Sequence, residues 1–256
     1  MAALAVAVVD RMTAEPTPTR VLLVGDSVTQ GSTGDWTWRY RLWEHLRDSG
    51  ATVDLVGPDE DVAGPPPDAP NLDYADPDFD RDHAGRWGKA FTSPDWPIHD
   101  LVEAYAPDVV VELLGVNDAL WSQATAPQLL EDAEQFVADA RDADPDVDIV
   151  LGGLPQRWQP VVAAYDDELD ALAERLDTER SRVVVARAPE VFVKEVDTYD
   201  AVHPSASGEV KIAAGVADAL ARLGIGTTYP RPLPDVPPVP TRPAVLSAQP
   251  GPGSAV

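Results

Sequence analysis

The sequence predicts a doubly wound α/β fold, in which a parallel sheet lies between two layers of helices. Five runs rich in Val, Leu and Ile have the length of strands, and continuous apolar runs are typical of strands buried on both faces. Segments with apolar residues at helical spacing separate these runs. The 256 residues are enough for one large α/β domain or two small ones. The predicted strands are Arg20–Gly25, Val53–Gly57, Asp108–Gly115, Asp148–Gly153 and Arg182–Arg187.

The predicted helices follow from apolar residues three or four positions apart. A glycine, Gly50, stops the first helix, and the last helix has Ser205 as its predicted N-cap and Gly224 at its end. In chain order, the apolar positions of the helices are Trp36, Tyr40, Trp43 and Leu46, then Leu129, Phe136 and Val137, then Tyr165, Leu169, Leu172 and Leu176, and finally Ile212, Val216, Leu220 and Leu223.

Composition divides the chain into three parts. Residues 1–19 resemble a loose arm, residues 20–228 carry the strand and helix patterns, and residues 229–256 contain nine prolines, which is typical of a tail or linker. Within the central part, the connection from Asp59 to Phe91 is rich in Asp and Pro and lacks periodicity. Long irregular loops of this kind are often functional.

The charge balance excludes several classes of partner. The net charge is −25, with 44 acidic against 19 basic residues. Nucleic acids and anionic membranes both need clustered Lys and Arg, so we expect neither as a partner. Cysteine is absent, which excludes disulfides, thiolate metal sites and a cysteine nucleophile.

No apolar run approaches the roughly 20 residues of a membrane-spanning helix. Residues Ala2–Val9 are apolar, but they are short and lack a preceding basic region, so they make a poor signal peptide. Secreted and cytoplasmic locations both stay open, as does the oligomeric state.

An Asp-x-x-His step, Asp200 to His203, combines with a distant serine to suggest nucleophilic catalysis. Ser27 follows the apolar run Val21–Val24 and precedes the Asp-x-x-His step by most of the chain. A serine hydroxyl becomes a useful nucleophile when a neutral imidazole accepts its proton, and a carboxylate on the other ring nitrogen orients that imidazole. The spacing allows Asp200 to reach His203 within one turn, so only Ser27 must be supplied by the fold.

Asn117 adds a candidate donor to this group. It follows the apolar run Val109–Val111, and an asparagine amide at a strand end can donate a hydrogen bond to a developing oxyanion. Ligands of doubly wound sheets bind outside the carboxyl ends of the strands. Because Ser27 and Asn117 both follow predicted strands, we expect them to share one crevice.

Other motifs that could explain these residues do not match. The Gly-x-Ser-x-Gly pattern of the α/β-hydrolase nucleophile elbow is missing, and so is the Gly-x4-Gly-Lys-Ser/Thr pattern of a phosphate loop. The acidic run Asp76–Asp82 has Arg81 where a calcium loop needs glycine. We therefore expect no metal site.

In order along the chain, Gly25-Asp26-Ser27, Gly88, Gly115-x-Asn117-Asp118 and Asp200-x-x-His203-Pro204 resemble the four signature blocks of the SGNH (GDSL) hydrolases. The resemblance covers roughly residues 20–224. It implies a flavodoxin-like three-layer α/β/α fold with a five-stranded parallel sheet and a serine esterase that needs no metal or organic cofactor.

The resemblance also implies roles for single residues. Ser27 would be the nucleophile, His203 the general base and Asp200 its orienting partner. The backbone N–H groups of Ser27 and Gly88 and the side-chain amide of Asn117 would form the oxyanion hole. Gly85 is the rival to Gly88, since either glycine allows close approach of a substrate to the backbone.

The segment Asp82–Gly88 further resembles the second block of the carbohydrate acetyl-esterases in this superfamily, which carry His-Glu-Gly-x-x-Gly-Trp. Ala84 and Lys89 depart from that pattern. The resemblance implies a small acyl ester, in particular an acetylated carbohydrate, as substrate. The candidate substrate-binding residues are Trp87, Trp121 and His83.

The motifs leave other activities open. A lipase, a lysophospholipase, a thioesterase and an acyltransferase all use the same catalytic groups. A non-catalytic carbohydrate-binding module on the same fold is disfavoured, because a pure binder does not need Ser27, Asn117, Asp200 and His203 together.

Overall fold

The computed structural model describes residues 17–66, 69–188 and 190–236. Most of the predicted arm and the tail beyond Val236 therefore lie outside the described residues, as does the segment Ala2–Val9. The strands are β1 (Thr19–Gly25), β2 (Val53–Val56), β3 (Val62–Ala63), β4 (Pro70–Asn71), β5 (Ala84–Gly85), β6 (Val109–Leu113), β7 (Asp148–Gly152) and β8 (Val183–Ala186).

The helices alternate with the long strands. They are α1 (Ser27–Gln30), α2 (Trp38–Asp48), α3 (Ile98–Tyr105), α4 (Val116–Leu120), α5 (Ala126–Ala143), α6 (Pro160–Leu176), α7 (Lys194–Asp197) and α8 (Ala206–Arg222). The four predicted helices correspond to α2, α5, α6 and α8. The Ser205 side chain caps α8 by accepting a hydrogen bond from the N–H of Gly208, as the sequence predicted.

The five predicted strands form one parallel sheet in the order β2-β1-β6-β7-β8. This confirms the predicted fold class. The order of the strands reverses between β1 and β6, and such a switch point opens a crevice at the carboxyl ends of the two strands. Short β5 pairs with the last two residues of β1, so it extends the sheet at that same edge.

Each face of the sheet has its own apolar core, because successive side chains of a strand point to opposite faces. Leu22 and Val24 pack with α3, α5 and α6, while Val21 and Leu23 pack with α2 and α8. Both faces are covered, which explains why the strands are continuously apolar.

The structure differs from the predicted boundaries at turns. The strand predicted to reach Gly115 ends at Leu113, because Gly115 adopts φ +114° and turns the chain into α4. Helix α2, the first of the predicted helices, begins at Trp38 after the N-cap Thr37, two residues later than the pattern at Trp36 suggested. Helix α3 and the short strands inside the Asp59–Phe91 connection were not predicted, because their segments are short and lack clear periodicity.

Tyr229, at the predicted start of the tail, contacts the domain. Its N–H donates to Asp218 Oδ1 at 2.9 Å, and its ring lies 4.7 Å from the ring of His45. Across the described ranges, no helix is both long and apolar enough to cross a membrane.

Candidate active site

Ser27 is placed by the sharp turn after β1. Asp26 caps α1 through its side chain, which accepts a hydrogen bond from the N–H of Val28 at 2.8 Å. Gly25 is needed here, because a Cβ at this position would lie 2.1 Å from Oγ1 of Thr29. Ser27 becomes the first residue of α1, so its N–H has no acceptor in the preceding turn of the helix.

His203 joins Ser27 to Asp200. Nε2 of His203 lies 2.9 Å from Oγ of Ser27, and Nδ1 lies 2.6 Å from Oδ2 of Asp200. The loop before α8 delivers the carboxylate locally, since Oδ1 of Asp200 also accepts from the N–H of His203 at 2.8 Å and of Val202 at 3.0 Å. The structure thus forms a continuous Ser–His–Asp chain of hydrogen bonds.

The environment keeps Asp200 ionised. Burial alone would raise the pKa of this carboxyl, but the hydrogen bond and charge of His203 and the backbone N–H groups of His203 and Val202 outweigh it and lower the pKa of Asp200. A carboxylate with a lowered pKa can hold the Nδ1 proton and stabilise the imidazolium that forms when His203 accepts a proton.

Two aromatic rings stack on the His203 ring. The Trp87 ring lies 4.5 Å away at 19°, and the Tyr199 ring lies 5.6 Å away at 16°. The Tyr199 hydroxyl is 3.0 Å from Oγ of Ser32, in the loop after α1. These contacts restrict rotation of the imidazole and favour the orientation that faces Ser27.

Asn117 lies in α4, directly after the Gly115 turn at the end of β6. It is 4% exposed, and its Nδ2 donates to the carbonyl of Lys89 at 2.8 Å. An amide nitrogen carries two hydrogens, so one remains for a second acceptor. The Lys89 carbonyl thereby orients the amide of Asn117 for a further hydrogen bond.

Gly88 lies in the loop that β5 holds against β1. The N–H of Arg86 donates to the carbonyl of Gly25 at 3.1 Å, which continues the pairing up to the Ser27 turn. Gly88 has φ +78°, and no atom lies within 4 Å of the position that a Cβ would take. The hydrogen bonds of the described residues contain none donated by its N–H, whereas the N–H of the rival Gly85 donates to His83.

His83 requires a correction as a candidate substrate-binding residue. It is fully buried, its Nδ1 accepts from the N–H of Gly85 at 2.9 Å, and its Nε2 lies 2.9 Å from the carbonyl of Asp61. Burial and the charge of Arg39 hold its pKa well below the usual value, so the ring is neutral. Both ring nitrogens are used inside the protein, and His83 therefore supports the loop and does not face a substrate.

The two tryptophan candidates have different positions. Trp87 stacks on His203, and the sequence had no means to predict this contact. Trp121 follows α4, four residues after Asn117, and is 44% exposed. An exposed indole so close to Asn117 in the chain remains available to a substrate, and its role stays a prediction.

Gln30 is a residue of the site that the sequence did not reveal. Its Oε1 accepts from the N–H of Trp87 at 2.8 Å, and its Nε2 donates to Oδ1 of Asp61 at 2.8 Å. It therefore fixes the loop of Gly88 to the helix that begins at Ser27. No local pattern could have indicated this, because its partners lie far away in the chain.

The acidic run Asp76–Asp82 has internal partners. Asp80 accepts from the N–H of Leu55 at 2.7 Å, and Asp76 accepts from the N–H of Asp78 at 2.9 Å. The described residues contain no group of three or more His, Cys, Asp or Glu arranged to hold a metal ion.

The doubly wound sheet carries the hydrogen-bonded Ser–His–Asp chain at its switch point, an arrangement that carboxylic ester hydrolases of the serine type use. The chain belongs to the GDSL-like lipase/acylhydrolase family, whose sequence profile matches residues 23–210. This confirms the family that the four motif blocks indicated. Comparison with curated protein sequences gives no match.

Several solved structures have the same fold. A carbohydrate esterase family 3 protein from Talaromyces cellulolyticus has 26% identity and a TM-score of 0.69, covering 80% of this chain and 97% of its own. An acetyl esterase mutant with acetate ion has 25% identity and a TM-score of 0.68 at the same coverages. A family 3 carbohydrate esterase from Clostridium thermocellum has 21% identity and a TM-score of 0.67, covering 82% and 100%.

Proposed function

We propose that the protein is a serine esterase that removes small acyl groups, in particular acetyl, from carbohydrates through an acyl-enzyme. The observation that carries the proposal is the position of His203, with Nε2 2.9 Å from Oγ of Ser27 and Nδ1 2.6 Å from Oδ2 of Asp200. A buried serine within hydrogen-bond distance of an oriented imidazole has the arrangement that an activated nucleophile requires.

In the first step, Oγ of Ser27 attacks the ester carbonyl carbon while Nε2 of His203 accepts the hydroxyl proton. The new Oγ–C bond gives a tetrahedral intermediate with a negative oxygen. When the intermediate collapses, the C–O bond to the alcohol breaks and His203 returns the proton to the departing oxygen. Asp200 holds the Nδ1 proton throughout and stabilises the transient imidazolium.

The negative oxygen would be stabilised by three donors, the N–H groups of Ser27 and Gly88 and the free amide hydrogen of Asn117. The Lys89 carbonyl accepts one amide hydrogen of Asn117 and leaves the other for the oxyanion. Donors fixed in advance of the reaction lower the barrier because they need no reorganisation when charge develops.

In the second step, water replaces the alcohol. His203 accepts a proton from the water as the oxygen attacks the acyl carbon, and the Oγ–C bond breaks with return of the proton to Ser27. The carboxylic acid leaves. No metal or organic cofactor takes part in the scheme.

The substrate class is supported by two neighbours of at least 25% identity, a family 3 carbohydrate esterase and an acetyl esterase. The segment Asp82–Gly88 supports the same class through its resemblance to acetyl-esterases of this superfamily. The exposed indole of Trp121 could stack on a sugar ring.

The test is a panel of nitrophenyl esters from acetyl to palmitoyl, run beside acetylated xylan, with wild type and Ser27→Ala. We expect kcat/KM for acetyl or butyryl esters to exceed that for palmitoyl esters by about tenfold or more, and tenfold corresponds to about 1.4 kcal/mol. Ser27→Ala should lack activity with an unchanged melting temperature, and a fluorophosphonate should label Ser27. Full activity in Ser27→Ala, or labelling elsewhere, would refute the assignment.

A second candidate, hydrolysis of long-chain esters, is favoured by one observation. The segment before the Asp200–His203 loop exposes four large hydrophobic side chains, those of Val191, Val193, Val196 and Tyr199. Exposed apolar side chains beside a site can hold a fatty acyl chain. Equal or better rates on palmitoyl than on acetyl esters, lowered by Val196→Asp, would favour this candidate over the carbohydrate esterase.

A further inference from the structure

Three carboxyl groups lie buried where β1 and β6 end. Asp26, Glu112 and Asp118 are 1%, 0% and 2% exposed. After burial itself, which has the largest effect, the charges of Asp26 and Asp118 also raise the pKa of Glu112, so the three groups are close enough to interact. None of the ion pairs of the described residues includes any of them. An acidic group of this kind without a cation needs a physical explanation.

Glu112 closes the turn that leads from β6 to Asn117. Its Oε1 accepts a hydrogen bond from the N–H of Leu114, and the backbone of Gly152 at the end of β7 also interacts with the carboxyl. The side chain therefore ties the turn to the neighbouring strand. Its Oε2 has no partner among the described residues, and neither has the hydroxyl of Tyr165, which faces Glu112 from α6.

The chemistry of the site favours a neutral group at this position. Burial raises the pKa of Glu112 to about 8, against the opposing effect of the backbone hydrogen bonds, so the carboxyl keeps its proton at neutral pH. A neutral carboxyl still offers an acceptor to the N–H of Leu114. An ionised carboxylate would add negative charge near the turn that carries Asn117, and it would oppose the charge that develops on an oxyanion.

We propose that Glu112 is a positioning residue of the ester hydrolysis, whose carboxyl accepts from the N–H of Leu114 and so fixes the β6–α4 turn and thereby the donor amide of Asn117. The inference rests on the proposed function and extends it to a residue that touches neither substrate nor nucleophile. The titratable groups that face Glu112 are Asp26 from the turn after β1, Asp118 from α4 and Tyr165 from α6. Loss of the Glu112 proton weakens oxyanion stabilisation without removing a catalytic group.

The experiment compares wild type with Glu112→Gln and Glu112→Leu on nitrophenyl acetate, from about pH 6 to about pH 10, which brackets the pKa of about 8. Gln keeps the neutral acceptor, so kcat at pH 7 should stay close to wild type. Leu keeps the approximate volume but removes the acceptor, and we expect kcat to fall by about ten- to a hundredfold with little change in KM, because the donor amide is misplaced.

The alkaline part of the profile gives a readout that a merely structural role would not change. We expect kcat of wild type to fall by about tenfold above pH 8, equivalent to about 1.4 kcal/mol in the barrier. The fall should be much smaller in Glu112→Gln, because its amide does not ionise. The same comparison stays informative if Glu112→Leu does not fold, which the melting temperatures will reveal.

A matched control is Glu209→Gln. Glu209 is also buried, burial raises its pKa to about 7, and its side chain accepts from the N–H of Thr37, away from the β6–α4 turn. In Glu209→Gln, kcat should fall above pH 8 as much as it does in wild type. An unchanged fall in Glu112→Gln, or full kcat in a folded Glu112→Leu, would overturn the inference while the proposed function stands. A wild-type protein without Ser27-dependent esterase activity would instead overturn the proposed function.

Discussion

The protein buries carboxyl groups in two ways, with and without a cationic partner, and two regions of the sheet illustrate the difference. Near β8, Asp166 pairs with Arg157 and Arg187, and Asp197 pairs with Lys211 at 2.7 Å. Beneath the candidate site, Asp26 and Glu112 are equally buried but have no cationic partner in the described ranges. Both regions satisfy part of their hydrogen bonds through backbone N–H groups.

The difference separates a structural use of charge from a chemical one. A buried carboxylate that is paired with a cation and hydrogen-bonded holds segments of the fold together. A buried carboxyl without a cation shifts its pKa upward and keeps its proton instead. Groups of the second kind are frequent at functional sites, and here Asp26 and Glu112 lie at the strand ends that lead to Ser27 and Asn117. The two regions should therefore respond differently to mutation and to pH.

Among the variants that compare the two regions, the largest effect is expected for Asn117→Ala, on rate and not on stability. Removal of one oxyanion donor should lower kcat by about 10²–10³ with a modest change in KM. The chain's other asparagine, Asn71, bonds Thr33 at 2.8 Å in the β3–β4 region and provides the matched control, Asn71→Ala. An unchanged kcat in Asn117→Ala would remove Asn117 from the site.

The next effect is expected for Asp197→Ala, on stability. Asp197 accepts from the N–H of Val193, the hydroxyl of Ser207 and the ammonium of Lys211, so its loss leaves a largely buried cation unpaired. We expect the free energy of unfolding in urea to fall by about 3 kcal/mol.

The exposed pair of Arg180 with Asp146 serves as the comparison, because Asp146→Ala removes an ion pair that water can replace. The midpoint of urea unfolding should shift much less in Asp146→Ala than in Asp197→Ala. Equal shifts for the two variants would mean that burial of Asp197 adds nothing, and the contrast between the two regions would be lost.

The pH dependence of unfolding sharpens the comparison further. Burial raises the pKa of Asp26 to about 7 and of Glu112 to about 8, above their ordinary values of 3.8 and 4.5. The folded state therefore binds more protons than the unfolded state between these limits. The contribution of these groups to the free energy of unfolding is present at low pH and is lost as pH rises through their pKa values in the folded state. The loss is about 1.4 kcal/mol per proton and pH unit.

The melting temperature of wild type should consequently fall between about pH 4 and about pH 8, the range set by these pKa values. Glu112→Gln should show a shallower fall, because one of the titrating groups is gone. A melting curve of Glu112→Gln as steep as that of wild type would show that the Glu112 carboxyl is ionised in the folded protein.

The smallest effect is expected for deletion of residues 230–256. The described part of this segment contributes the ion pair of Arg231 with Asp218, and partly exposed pairs are worth less than about 1 kcal/mol. Tyr229 is kept, because its ring packs on His45. A fall of more than about 5 °C in melting temperature would show that the proline-rich tail stabilises the domain.

The sequence by itself determined the sheet and much of the site. Continuous apolar runs leave a strand no solvated face, so the five long strands had to form a covered parallel sheet. The parallel strands brought their carboxyl ends to one edge, and Ser27 and Asn117 follow the paired ends of β1 and β6. Asp200 could reach His203 because the two residues lie within one turn.

Only the tertiary structure decided the contacts between distant segments. It put Trp87 on the ring of His203, used Gln30 to hold the loop of Gly88, and enclosed His83 completely. It also surrounded Glu112, a single acidic residue in an apolar strand, with other acids. Local patterns cannot report such contacts, because burial, pKa and hydrogen-bond partners depend on residues that approach only when the chain has folded.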